Sequence, residues 1–79
     1  MMRKLAMMFL LMPFAAMATT WYVNGSSGSD YNSGTSQSSA KATIQAAIDA
    51  SSAGDTILVA PGTYAPIATD NKAITIRSI

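Results

Sequence analysis

Four aspartates, Asp30, Asp49, Asp55 and Asp70, supply every side-chain carboxylate of this 79-residue sequence, which has no Cys, His or Glu to work beside them. The absence of His removes the commonest general base and the commonest metal ligand. A zinc site and a Ser-His-Asp triad are therefore both out of reach within the chain. Asp30-Tyr31-Asn32-Ser33-Gly34-Thr35 sets carboxylate and amide oxygens at alternate positions, with a glycine where a loop turns, as in half of a calcium loop. A full site takes roughly six to eight oxygens and normally a bidentate acid further on. The bland alternative is that these residues are turn formers bonding to their own backbone. Calcium is thus the only cofactor the sequence brings into question.

Asp49 and Asp55 would be the acid and base of a glycosidase-like pair. Their spacing does nothing to bring them together. Asp49 reads as a solvated helix residue and Asp55 as a turn or cap residue before a strand. Lys72 and Arg77 read as solubilising groups on an exposed face. No catalytic constellation emerges.

The elements that would position these residues begin after a leader. Arg3 and Lys4 form a positive start, Leu5 to Phe14 is an apolar run broken by Pro13, and Ala15-Ala16-Met17-Ala18 is a tail of mostly small residues. This is the order of a cleavable secretory signal, in which the positive end stays inside, the apolar run enters the membrane and the peptidase needs small side chains beside its cut. Ala16 and Ala18 supply those side chains, which places the cut after Ala18 and makes Thr19 the first residue of the processed chain. A permanent membrane span needs roughly 20 apolar residues, and Leu5 to Ala18 falls short. No Cys stands at the cut to carry a lipid. The sequence therefore predicts a secreted protein, extracellular or periplasmic, with no membrane attachment once the signal is gone.

Residues 1–18 also distort the composition. All six Met, at positions 1, 2, 7, 8, 12 and 17, belong to that segment, so the 49% hydrophobic content overstates the core of residues 19–79. The processed chain keeps Lys41, Lys72 and Arg77 against four Asp and carries a net charge of −1. Such a surface has no basic stripe, which argues against nucleic acid as a partner. About 60 residues make a marginal core, and without Cys no disulfide can support it.

Trp21-Tyr22-Val23 suits a short strand. Asn24 to Ser39 is a long loop of Asn, Gly, Ser, Asp and Thr. Lys41 to Ala53 (KATIQAAIDASSA) predicts an amphipathic helix with Ile44, Ala47 and Ile48 on one face, Thr43 as N-cap and Gly54 at the left-handed position after its end. Thr56 to Ala60 (TILVA) is a continuous apolar run, which suggests a strand covered on both faces. Pro61-Gly62 is a turn, Tyr64 to Ile67 is a further short strand, Thr69 to Lys72 is another turn, and Ala73 to Ile79 alternates with Ile74 and Ile76 inward. Ile57 and Val59 recur as Ile74 and Ile76 at a common offset of 17 residues, near the length of one turn of a β-solenoid. Adjacent strands of an ordinary α+β domain are the alternative.

On these residues the chain resembles the right-handed parallel β-helix proteins of the pectate-lyase-like superfamily, in particular the N-terminal part of secreted bacterial members. The resemblance runs from Trp21 to Tyr64 and is densest in GSDYNSGTS, ATIQAAIDA and GDTILVAPGTY, with a looser continuation in KAITIRSI. It implies a mainly β fold in which residues 1–18 are the signal peptide and residues 19–79 form an N-terminal cap helix and the first one to two rungs of the β-helix. Trp21 to Val23 would pair at its mouth, and Pro61-Gly62 would turn a corner. Such proteins usually continue for many rungs, and Ile79 falls inside an apparent strand, so a truncated reading is expected.

The resemblance implies action on, or binding to, polysaccharide in a full-length lyase or hydrolase. A non-catalytic adhesin or structural β-helix is the alternative. Lys72 and Arg77 match the basic residues of β-helix lyases in type only. The family's catalytic residues lie on later rungs and match no position here, so this chain alone is expected to be inactive.

Overall fold

The computed structural model describes residues 17–79. Arg3, Lys4, the apolar run and Ala16 lie outside the described residues. The elements are β1 (Thr20–Val23), a single 3-10 turn (Gln37–Ser39), α1 (Ile44–Ala50), β2 (Thr56–Val59) and β3 (Thr75–Ser78). The strands form one parallel sheet in the order β1-β2-β3. A parallel pair needs a crossover connection. The first crossover contains the polar loop and α1, whereas the second is irregular throughout.

Register stacks threonine on threonine in one column and apolar residues in the next. Thr20, Thr56 and Thr75 align, as do Trp21, Ile57 and Ile76. The next columns are Tyr22, Leu58 and Arg77, then Val23, Val59 and Ser78. Because side chains alternate along a strand, the Trp21 and Val23 columns share a face, and this face meets α1. Val23, Ala47, Ile48, Ile57 and Val59 form the core, with Trp21, Ile44, Tyr64 and Ile74 packed against it. Ile48 and Ile57 are 2% and 0% exposed. Burying each contributes roughly 1.5–3 kcal/mol, a large share of the stability of so small a core.

The two edges of the sheet differ. On the outer side of β1, the Tyr22 N–H donates to the Gly34 carbonyl at 2.7 Å, the Lys41 N–H donates to the Tyr22 carbonyl at 2.9 Å, and the Asn24 N–H donates to the Lys41 carbonyl at 2.8 Å. The loop thereby satisfies an edge that would otherwise present open hydrogen-bonding groups. Among the described residues no strand pairs with the outer edge of β3.

Several expectations are corrected. The offset between β2 and β3 is 19 residues rather than 17, so Ile57 faces Ile76 and Val59 faces Ser78. Bonds at the start of the strands fix this register: the Gly54 N–H donates to the Ala73 carbonyl and the Thr75 N–H to the Asp55 carbonyl. A slip of two residues preserves the faces, which is why the alternation read correctly while its register did not. Ile74 is half-buried, but Ile76 is 36% exposed because β3 is the edge strand. Among the described residues β2 is fully buried on one face only, with Ile57 and Val59 buried and Thr56 and Leu58 half-buried on the other.

The helix is Ile44–Ala50, shorter than Lys41 to Ala53. Thr43 caps it by accepting from the Ala46 N–H at 3.2 Å. At the other end Ser51 takes over, its N–H donating to Ala47 and Ile48 carbonyls and its hydroxyl donating to the Ile48 carbonyl at 2.7 Å. Gly54, with φ +93°, serves the turn before β2 and not the helix end. Tyr64 to Ile67 is irregular. Tyr64 instead donates its hydroxyl to the Ala60 carbonyl at 2.8 Å and accepts from the Gly25 N–H at 3.1 Å. The turn at Asp70 and Asn71 is left-handed at both residues, φ 52° and 63°, a conformation these side chains tolerate.

Candidate functional site

Parallel strands end together, so their carboxyl ends form one rim. Here that rim borders a cleft of about 260 Å³, lined by Tyr22 and Asn24 from the end of β1, Ala60 from the end of β2, Ile79 from the end of β3, and Gln37 from the 3-10 turn. The β1 strand holds Tyr22 on the face opposite the core, in the column of Leu58 and Arg77. The 3-10 turn is brought to the rim by the Gly34 N–H, which donates to the Ser39 carbonyl at 2.8 Å. Tyr22 brings an aromatic ring and Gln37 a carboxamide to the cleft, whereas Asn24 Oδ1 already accepts from the Ser26 and Ser27 N–H groups at 2.9 and 3.1 Å. Among the described residues no Asp, Lys or Arg side chain lines the cleft.

Asp30, Lys41, Asp55 and Lys72 are engaged within the fold. Asp30 accepts at Oδ1 from the Ala42 and Thr43 N–H groups, each at 2.9 Å, and at Oδ2 from the Thr43 hydroxyl at 2.9 Å. Desolvation pushes its carboxyl up, but the Thr43 hydroxyl, the two N–H groups and the Lys41 ammonium outweigh it and leave the group below the ordinary 3.8. The Lys41 ammonium itself donates to the Asp30 carbonyl at 3.1 Å and the Asn32 carbonyl at 2.7 Å. The Asn32 amide donates to the Ala40 carbonyl at 2.9 Å. The Asp30 carboxylate that the sequence offered to calcium thus holds the helix start, while backbone carbonyls of the same loop hold the Lys41 ammonium. Among the described residues no group of three acidic ligands gathers.

Asp49 and Asp55 are not a working pair. Asp49 is exposed and accepts from the Gln45 amide at 3.0 Å. Asp55 is 5% exposed and accepts at Oδ1 from the Thr19 N–H at 2.8 Å and at Oδ2 from the Trp21 indole and Ser52 N–H, both at 2.9 Å. Those donors, the Thr19 N–H first and then the Trp21 indole, hold its carboxyl below 3.8. Lys72 is half-buried rather than a surface solubiliser. Its ammonium donates to the Ile48 and Ser51 carbonyls at 2.6 and 2.7 Å, where a cation favours the negative end of a helix. Arg77 is exposed on β3. Of the residues placed at the signal cut, Ala16 is outside the described residues, Ala18 is exposed and Thr19 is half-buried beside Asp55.

Sequence reasoning missed the Tyr22 cleft and the roles of Lys41, Gln45 and Asp55. The Gln45 amide donates to the Ala68 carbonyl at 3.0 Å and accepts from the Ala68 N–H at 2.9 Å, pinning the second crossover to α1. Only a polar residue immediately before a buried strand hinted at Asp55, and turn residues give the same hint.

A family model described as "Protein of unknown function (DUF1565)" matches residues 26–78, from the polar loop through β3. This family is associated with right-handed β-helix proteins. No curated protein and no solved structure matches the chain.

Proposed function

The chain belongs to the DUF1565 family, and from that membership we propose that it is the N-terminal end of an exported right-handed parallel β-helix that binds polysaccharide. The supporting observation is the asymmetry of the sheet: loop residues Gly34 and Lys41 close the β1 edge, whereas among the described residues no strand pairs with the outer edge of β3. A stack built from one sealed end needs a cap, and α1 with the polar loop supplies it on this reading. The pectate-lyase-like resemblance of ATIQAAIDA and GDTILVAPGTY supports the same assignment, as does the leader for export.

The Tyr22 cleft carries the ligand side. A sugar ring offers an apolar C–H face to an aromatic ring and hydroxyls to amides; Tyr22 and Gln37 supply those groups, and Asn24 adds only its amide nitrogen, since its oxygen accepts from the Ser26 and Ser27 N–H groups. The lack of an ionisable acid–base pair in the cleft favours the non-catalytic version, a surface or adhesive β-helix, for this part of the protein. Catalysis on acidic glycans by β-elimination or hydrolysis would belong to later rungs.

The test is affinity electrophoresis of the processed protein in gels containing polygalacturonate or neutral glucan. Retardation that falls at least tenfold in Tyr22→Ala, with an unchanged circular dichroism spectrum, is the expected result. No retardation in any glycan would overturn the binding reading, and unsaturated products accumulating from pectin would overturn the non-catalytic one.

A further inference from the structure

The described fold begins at one peptide bond. Ala18 is exposed, Thr19 is half-buried and Thr20 opens β1. Thr19 is held from both sides: its N–H donates to Asp55 Oδ1 at 2.8 Å, and its carbonyl accepts from the Thr56 N–H at 3.1 Å. Asp55 is held as firmly, because its second oxygen accepts from the Trp21 indole and the Ser52 N–H. The nitrogen of Thr19 is therefore fixed against a nearly buried carboxylate, yet an amide brings it one proton and no charge. Lys72 is the charged group that acts on Asp55, and its own hydrogen bonds go to the Ile48 and Ser51 carbonyls.

We propose that Asp55 is the receptor for a new α-ammonium group at Thr19, formed when an endopeptidase that prefers small residues hydrolyses the Ala18–Thr19 bond, so that removal of the leader locks the first strand into place. The inference rests on the reading of residues 1–18 as a removable signal. In the cut, water adds its oxygen to the Ala18 carbonyl carbon and a hydrogen to the Thr19 nitrogen as the C–N bond breaks. The proton released by the new Ala18 carboxyl balances the one the amine takes up. The product presents three N–H donors and a full positive charge where the precursor presented a single N–H. A charge-assisted bond is roughly twice as strong as a neutral one, and the partner oxygen is already in position. The lock is specific to this bond. A chain starting at Ala18 keeps the neutral amide, and a chain starting at Thr20 has no Thr19 nitrogen.

The experiment has two stages. First, the full chain is expressed with its own leader and the exported product's intact mass is measured, with Thr19 as the expected first residue. Export with a cut elsewhere leaves the signal reading standing and overturns the lock. A chain retained uncut in the cytoplasm overturns both. Second, processed proteins beginning at Thr19 or at Ala18 are treated at neutral pH with an amine-reactive ester, whose acyl carbon is attacked only by unprotonated amine, and labelling of the terminal residue is followed by mass spectrometry. The carboxylate stabilises the ammonium form, so the Thr19 amine is expected to react about tenfold more slowly than the Ala18 amine. Asp55→Asn is expected to abolish the difference. Both starting points keep Asp55, so the comparison stands even if that variant is unfolded. Equal reactivity of the two termini would overturn the lock.

Discussion

Replacing Ile57 probes the one-sided sheet directly, because its neighbour Leu58 has similar chemistry and points the other way. Ile57 is 0% exposed and sits between Trp21 and Ile76 in its column, facing α1. Ile57→Ala removes three buried carbons, at about 0.8 kcal/mol each for transfer, and leaves a cavity, for a total of roughly 3–4 kcal/mol. Leu58 is half-buried on the opposite face, so Leu58→Ala costs about 1 kcal/mol. Ile57→Val, which removes a single carbon, costs about 1 kcal/mol and stays measurable if the alanine variant unfolds outright. The assay is urea unfolding followed by fluorescence of Trp21, the sole tryptophan, whose ring packs on this core. For a domain of this size each kcal/mol moves the thermal midpoint by about 4–8 °C, which gives a second readout. Equal losses for Ile57→Ala and Leu58→Ala would mean that both faces of β2 are covered, and the reasoning from the alternating burial would fail.

Lys72→Met should cost about 1–2 kcal/mol, since the helix carbonyls of Ile48 and Ser51 lose a partly buried cation; a surface solubiliser would cost nothing in the same unfolding measurement. Gly34→Ala should destabilise by about 1–2 kcal/mol in thermal melts, because φ is +81° and the added Cβ would stand 3.1 Å from Trp21 Cε3. Acid should unfold the chain through Asp30 and Asp55. Both carboxyls lie below the ordinary 3.8 in the fold, so their stabilisation is complete above that value and is lost as pH falls through the lower folded values. Circular dichroism across pH 7 to about 2 reads this, and for Asp55→Asn the acid transition should be shallower.

The helix face was legible because Ile44, Ala47 and Ile48 follow the helical period, and the three strands from the residue types of Trp21 to Val23, the apolar run of Thr56 to Ala60 and the alternation of Ala73 to Ile79, although Tyr64 to Ile67 read as a strand and is irregular. The register was less legible. Ile74 and Ile76 offer the same inward chemistry two residues apart, so periodicity cannot choose between them, and the choice falls to backbone bonds at Gly54, Asp55 and Thr75. The polar loop hid most. Asp30 and Lys41 look like solvated charges in the sequence, yet each closes on groups about ten residues away that no local rule pairs. The cleft was invisible for a similar reason, since it exists only where the strand ends and the 3-10 turn converge.

The parallel stack with its sealed β1 edge is the centre of this fold. Nuclear Overhauser contacts between backbone protons of the isotope-labelled processed chain measure it. The structure predicts that residues 20–23, 56–59 and 75–78 align as parallel strands with Ile57 between Trp21 and Ile76, and that the Tyr22 amide contacts Gly34. Antiparallel pairing, or Ile57 aligned with Ile74, would contradict it.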